Sequence, residues 1–500
     1  MSLAFYLLAA VTALPALRPT PPPEPPHPIV SHHVVSTGSA DAQALFDRGL
    51  TLYYAYNGGQ AVEDFAQALK RDQRLAIGYW GEALGYGADI NTALDERHFN
   101  LAKSAIAHAV ALETGGSSEE RAYIDAMAKR YAGPWRDHAR AESEYRDAMA
   151  ALVQSYPNDD DAKTLYAEAL LEKQSGDKLW KPDGLPTTND TKTIVDLLDG
   201  VLAHNPANIM ANHLFIHTFD YSNDQRRALT SADRLAADEF EPAAEHLTHM
   251  PAHTYVETGE YTKAIANSHR AIEMFHQFLS SPGAYTEHDQ YLAHDIDIGL
   301  RAAMMLGNYH NALDLARQYD VRTGSKSAEL AAMRRFNRWT EIRTLARGND
   351  APARLARSWA AVAAGNPAAA QSEVEALRAL KVDPGEALLA NIALLQNHPA
   401  QAIAQALAGV KSEGSQSGEY VPNSPALETL GAIYYRVGNF SRAKQSFQKA
   451  LILYPGDPRA LFGLSQTLAK LGETAQSIAV QARFTAIWKG GDTTLSMTDL

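Results

Sequence analysis

The chain has 500 residues, of which 46% are hydrophobic, enough apolar material for a large buried core. Its formal charge of −13 and the lack of any basic stripe exclude a phosphate-tracking surface, and so argue against nucleic acid as a partner. With no cysteine there are no disulfides, thiolate metal sites or thiol nucleophiles, and histidine and carboxylate are left as the strong metal ligands.

Residues 1–17 carry the apolar run Leu3 to Leu17 with small residues at Ala13 and Ala16. The run falls short of the roughly 20 residues that span a bilayer, which predicts a signal peptide and a periplasmic or secreted protein. No Lys or Arg precedes it, so a short N-terminal anchor is the alternative; no other membrane segment is expected. Residues 18–38 are rich in proline, including Pro21-Pro22-Pro23, and predict an extended, disordered tether holding His32-His33, with the folded body starting near Ser39.

From there the pattern is helical and repetitive. The N-terminal repeats, 39–206, read as helix pairs at Gly49 to Asp72, Ala76 to Leu112, Glu119 to Pro157 and Asp161 to Pro206. Within them Asp159-Asp160-Asp161 fits a helix N-cap better than a metal site. Ser175 to Asp190, with Trp180 and Gly184, is a long loop insertion of the kind that often carries function. The central repeats, 207–321, comprise Ile209 to Pro242, Glu245 to Phe278 and Ala293 to Asp320, with a second loop insertion at Ser280 to His288. Residues 322–410 are alanine-rich and helical but off-register, 411–422 read as an exposed linker, 423–490 hold the C-terminal repeats, and 491–500 form a tail.

One segment fixes the register. Ala426 to Pro455 places Leu427, Leu430, Gly431, Tyr434, Gly438, Phe440, Ala443, Phe447, Ala450 and Pro455 in a spacing that resembles the tetratricopeptide repeat. The resemblance covers most of the chain after residue 40 and implies an all-α, TPR-type superhelical solenoid of helix pairs, each burying its apolar face only by stacking on its neighbours. It also implies a concave groove lined six, ten and thirteen residues before each turn glycine. Before Gly259 these positions are His253, His249 and His246, with Glu257 one turn further on; before Asn223, which takes the glycine place, they include His217 and His213; before Gly307 they are Arg301, Asp297 and His294.

Nine of the chain's 18 histidines fall between His213 and His294. Spacings of three and four residues stack side chains on one helix face, and grouped neutral imidazoles bind zinc, copper and iron. The candidate ligands are therefore His213, His217, His246, His249, His253 and His294, with Asp297 and Glu257 assisting. A peptide-gripping polar groove and a network of stacked imidazoles are the alternatives. Because ligating imidazoles must be neutral, metal affinity is expected to fall as pH drops through roughly 6.5. Pro251 sits where the repeat places a packed leucine, so either the helix kinks between His249 and His253 or a new helix starts there.

The chain lacks His-Glu-x-x-His, Gly-x-Ser-x-Gly, Gly-x4-Gly-Lys and Rossmann glycine motifs, which argues against the ordinary hydrolase and nucleotide chemistries. His249-Met250-Pro251-Ala252-His253, with Asn212-His213-x3-His217 and Tyr79-Trp80-Gly81-Glu82-Ala83, resembles a group of bacterial tetratricopeptide proteins, many exported, that carry a His-Met-Pro-x-His element. In that group an Asn-His pair often occurs near Tyr56-Asn57, where this chain has Gly58, which implies an altered site if that histidine is a ligand. Two functions follow. One is a metalloprotein with copper favoured over zinc or iron, extending to a copper-dependent oxidoreductase acting on a small molecule or peptide in the groove, with Tyr255 and Tyr291 near enough to tune it. The other is a non-catalytic scaffold binding a peptide or an envelope protein.

Overall fold

A computed structural model describes residues 28–174, 176–181, 183–281, 290–413 and 425–500. The expected signal peptide or anchor, the tether before residue 28, and most of the Ser280 to His288 insertion and of the 411–422 linker lie outside the described residues. Among the described residues the protein is all-α: helix pairs succeed one another from Ala40–Tyr54 with Gly58–Arg71 to Pro458–Lys470 with Thr474–Trp488, and the one strand-like pairing is an isolated bridge between Trp180 and Pro186. None of these helices is long and apolar enough to cross a membrane.

The repeat logic is visible in how two pairs are built. In the first pair, Ser39 and Asn57 cap the two helices by accepting from the Ala42 and Gln60 amides, and Phe65 is fully buried. The Phe65 ring fills the space left by two glycines: a Cβ on Gly49 would lie 2.8 Å from it and one on Gly81 2.6 Å. Near the other end Phe447 is seated the same way between Gly431 and Gly463, where a Cβ would meet its ring at 2.7 and 2.4 Å. Each such phenylalanine contributes about 1.5–3 kcal/mol of apolar burial, which only the missing side chains of the next helix make possible.

Two parts differ from the expectation. Residues 29–37 are not a tether. Ile29 donates to the Glu239 carbonyl, Ser36 to Glu120, Thr37 to Asp72, and Val35 is buried. His32 and His33, expected in a disordered segment, are held by Asp47 at 2.6 Å and Asp161 at 2.8 Å. Two backbone amides of the segment, those of His33 and Ser36, are satisfied by the buried carboxylates of Asp47 and Glu120 on neighbouring helices. Residues 491–500 likewise dock: Asp492 accepts from the Tyr309 and His310 amides, and the Asp499 carbonyl accepts from the buried Arg459.

The repeats also meet beyond their chain neighbours. Arg48 of the first pair bridges Asp64 and Glu241, and Asn57 donates to the Ala243 carbonyl at 2.9 Å. The Gly259 turn abuts Gly456 so closely that a Cβ on Gly259 would fall 2.5 Å from the Gly456 Cα, and Arg335 pairs with Glu428. The first and last repeats therefore both contact the central ones, which bury the candidate site in the largest core.

Candidate metal centre

The helix Ile209–Phe219 starts at Asn208, whose side chain accepts from the Ala211 amide, and every residue in it is buried. His213 and His217, four apart, point the same way. The second histidine set lies on Glu245–His249 and Pro251–Thr258. Met250 between them keeps helical backbone (φ −49°, ψ −40°), so the chain runs on without reversing and Pro251 opens the second segment at its first position, where no amide is needed. The His249 and His253 rings cross at 84°, against 47° for His213 and His217 on their unbroken helix. His294 comes from the neighbouring helix Gln290–Leu306.

These elements gather the six histidines into two triads, His213–His217–His246 and His249–His253–His294, in each of which one atom per residue lies within 4.8 Å of the others. In the first, the Nε2 atoms of His213 and His217 are 3.1 Å apart. In the second, His253 Nε2 lies 2.9 Å from His249 Nε2 and 3.2 Å from His294 Nε2. Two nitrogens bound to one ion at ~2.05 Å stand roughly 2.9–3.3 Å apart for angles between square and tetrahedral. The spacing matches that of a ligand set.

The far side of one ring fixes its tautomer, and carboxylates stand behind three others. His213 Nδ1 is 2.7 Å from the Tyr54 carbonyl, which can only accept, so Nδ1 carries the proton and Nε2 presents a lone pair to the triad. His249 Nδ1 lies 2.9 Å from Asp295 Oδ1, an ion-pair separation off the line of a hydrogen bond, and both groups are buried. Asp220 Oδ2 stands 3.8 Å from His217 Nδ1 and 3.7 Å from His253 Nδ1, so one carboxylate backs a histidine of each triad.

Burial, with smaller contributions from neighbouring imidazoles, pushes His217 and His253 well below the ordinary histidine value. It drives His213 down to about 3 despite the Tyr54 hydrogen bond, and His294 to about 3 with His249 and Arg301 adding to it. Burial thus disfavours a proton on His213, His217, His253 and His294, so at these four rings the proton competes more weakly with a metal than at an ordinary imidazole.

The groove expected for these residues is in fact an interior: His217, the most open of the first five, is 9% exposed. Tyr56 covers the first triad, its ring 4.5 Å from His213 and 5.4 Å from His246, and Tyr291 lies 4.7 Å from His246. Tyr56 has a φ of 54°, a left-handed conformation that costs a tyrosine on the order of 1 kcal/mol or more and recurs at functional sites. Gly58 has no room for the histidine of the resembling group, because a Cβ there would meet the Gly85 carbonyl oxygen at 2.5 Å. The Ser175 to Asp190 insertion brings Trp180 onto Phe219 and its Nε1 to the Thr218 carbonyl at 2.6 Å, beside His217.

Two of the eight candidate ligands do not join. Asp297 is engaged by Arg301 at 2.8 Å, and Glu257, one turn past His253, lies outside both triads, with its charge acting on Tyr261 and Tyr454. Tyr255 donates to Asp233, away from the imidazoles, unlike Tyr291. Asp220 and Asp295 were not anticipated, although each has a local signal: Asp220 is three residues after His217, and Asp295 adjoins His294. Tyr54 and Tyr56 have none, since they reach the site across some 159 residues of chain. Asp159 caps its helix through the Ala162 amide as expected, while Asp161 serves His33 and Tyr54.

A family model described as tetratricopeptide repeat matches residues 424–457. No curated protein matches the chain. Among solved structures it is similar to the APC/C hetero-tetramer Cut9-Hcn1, at 11% identity over 75% of this chain and 80% of that one with a TM-score of 0.31. It is also similar to human IFIT1, solved as a dimer with m7Gppp-AAAA, at 14% identity over 90% and 91% with a TM-score of 0.32. These likenesses bear on neither site nor chemistry. The repeat at 424–457 and the stacked helix pairs make the fold a tetratricopeptide-type solenoid.

Proposed function

We propose that the protein is a metalloprotein in which His213, His217 and His246 hold one transition-metal ion and His249, His253 and His294 a second. The observation that carries this reading is the convergence of Nε2 atoms at 2.9–3.2 Å while Tyr54, Asp295 and Asp220 stand behind the opposite nitrogens. In a stacked-imidazole network without an ion, the single Nε2 proton on His253 serves one neighbour and leaves lone pairs opposed around it. Copper is favoured, then zinc, then iron, because each triad is imidazole alone and iron sites of this size usually take a carboxylate.

Three protein ligands leave a coordination position open, and an ion so held supplies redox or Lewis-acid chemistry. The chain's own residues bury the rings away from water, hold His213 in one tautomer and place the Tyr56 and Tyr291 rings against the first triad. We assign the protein on this basis to dioxygen-dependent oxidation of a small molecule or peptide, after the export to the periplasm or beyond that the resemblance to the His-Met-Pro-x-His group implies. The test is dioxygen uptake by the copper-loaded protein with an added reductant. The rate is expected to fall at least about tenfold in H249A/H253A. Equal rates in both proteins contradict the redox assignment and favour a scaffold that binds a peptide or an envelope protein.

A further inference from the structure

A second cavity, independent of the histidines, holds about 480 Å3 among Arg334, Trp339, Trp359, Leu395 and Arg436 and is walled on one side by Thr498, Asp499 and Leu500. Its volume lies within the ~300–1,000 Å3 typical of small-molecule sites. Five helices supply the walls: Ser327–Arg335, Trp339–Leu345, Ala351–Ala363, Glu386–Leu395 and Ala426–Arg436.

The polar groups on these walls are unbalanced. Glu428 is committed to Arg335 at 3.1 Å, and Asp499 to Asn337 at 2.7 Å and Ser496. Arg436 gives one N–H to the neutral Asn391 amide oxygen, and Arg334 lies over the Trp359 ring, 5.5 Å from its centroid. Neither arginine has a carboxylate ion partner among the described residues. Trp359 Nε1 is buried with no hydrogen-bond partner. Burial depresses both arginines below the ordinary value, Arg334 to about 10 with Arg335's charge adding to the effect, as befits cations without a counter-charge.

Two guanidinium groups without an ion partner and an indole N–H thus border one cavity, whose lining mixes tryptophan, valine, alanine and leucine with the Arg335–Glu428 pair, Asp499 and neutral polar side chains. A planar guanidinium fork matches a carboxylate, and the buried, unpartnered Trp359 N–H beside the two half-buried arginines is a donor of the kind that a ligand fills. The committed charges of Glu428 and Asp499 disfavour a dianion such as phosphate. The tryptophan faces suit a flat ring. We propose that this cavity binds a small aromatic monocarboxylate, the carboxylate between Arg334 and Arg436 and the ring against Trp339 and Trp359.

Calorimetric titration of the full-length protein with phenylacetate and with indole-3-acetate tests this. Saturable one-to-one binding is expected for at least one of them, weakened by about tenfold or more in R334Q and in R436Q, which corresponds to ~1.4 kcal/mol. Phenylacetamide and indole-3-acetamide, the neutral counterparts, are expected to bind at least as weakly, and H249A/H253A to bind like the wild type. W359F keeps the ring but loses the N–H and gives a separate reading should an arginine variant fail to fold. No saturable binding of either acid, or equal affinity for acid and amide, overturns the proposal; so does an effect confined to H249A/H253A.

Discussion

Asp220 is the residue on which the two triads converge from behind, since its carboxylate stands within 3.8 Å of a ring in each, whereas Asp295 backs His249 alone. Groups behind a ligand typically set 10–100-fold in metal affinity by fixing its tautomer and basicity. D220N is therefore expected to weaken both ions and D295N only the second, as read by competition against a chelator; an equal effect of D295N on both contradicts the two-site arrangement. The imidazoles also fix the sign of a pH effect in the metal-free protein. Below pH ~6.5 unfolded histidines take up protons that the buried rings, with folded values near 3 for His213 and His294, refuse. Stability is therefore lost as pH falls from 6.5 towards 3, and is fully present above 6.5. Urea midpoints of metal-free protein between pH 7.5 and 5 should drop, and drop less in H213A/H217A; identical slopes count against burial as the cause. The spacing of the histidines along two helices was legible in the sequence because side chains three and four residues apart must share a face. The backing groups were not, because Tyr54 arrives from a different repeat.

At the scale of the element, the run Glu245–His249, Met250, Pro251–Thr258 matters most. The sequence left a kink and a fresh helix start equally open at Pro251, and the backbone resolves the two by keeping Met250 helical while Pro251 gives up its amide. P251A restores that amide at a first-turn position where proline is tolerated, so the substitution costs the helix little or nothing. The expected outcome is a melting temperature that holds or rises, together with weaker binding at His249–His253–His294 and unchanged binding at the other triad. A P251A protein with both affinities intact shows that the 84° crossing of the rings is immaterial to binding. The Phe65 and Phe447 seats, by contrast, were readable in the spacing of Gly431 and Phe447, since a large ring against a missing side chain is what stacked helix pairs require.

For the whole molecule, the repeats were legible and their closure was not. Nearest-neighbour stacking predicts that the array beyond Ala426 is indifferent to the histidines, yet Gly259 rests on Gly456 and Arg48 of the first pair reaches Glu241, so the central repeats hold both ends. Superhelical curvature sums small rotations over many pairs, and no local spacing encodes it. The outcome is a site sealed by the first pair through Tyr54 and Tyr56, which no groove register could show.

The central claim is that six histidines form two three-imidazole metal sites, and metal stoichiometry in triad variants tests it most directly. Elemental analysis after copper loading and removal of weakly held ions should give about two equivalents in the wild type, about one in H213A/H217A and about one in H249A/H253A, in line with open three-ligand sites. Less than about a tenth of an equivalent in the wild type, with no tightening on titration, contradicts the account.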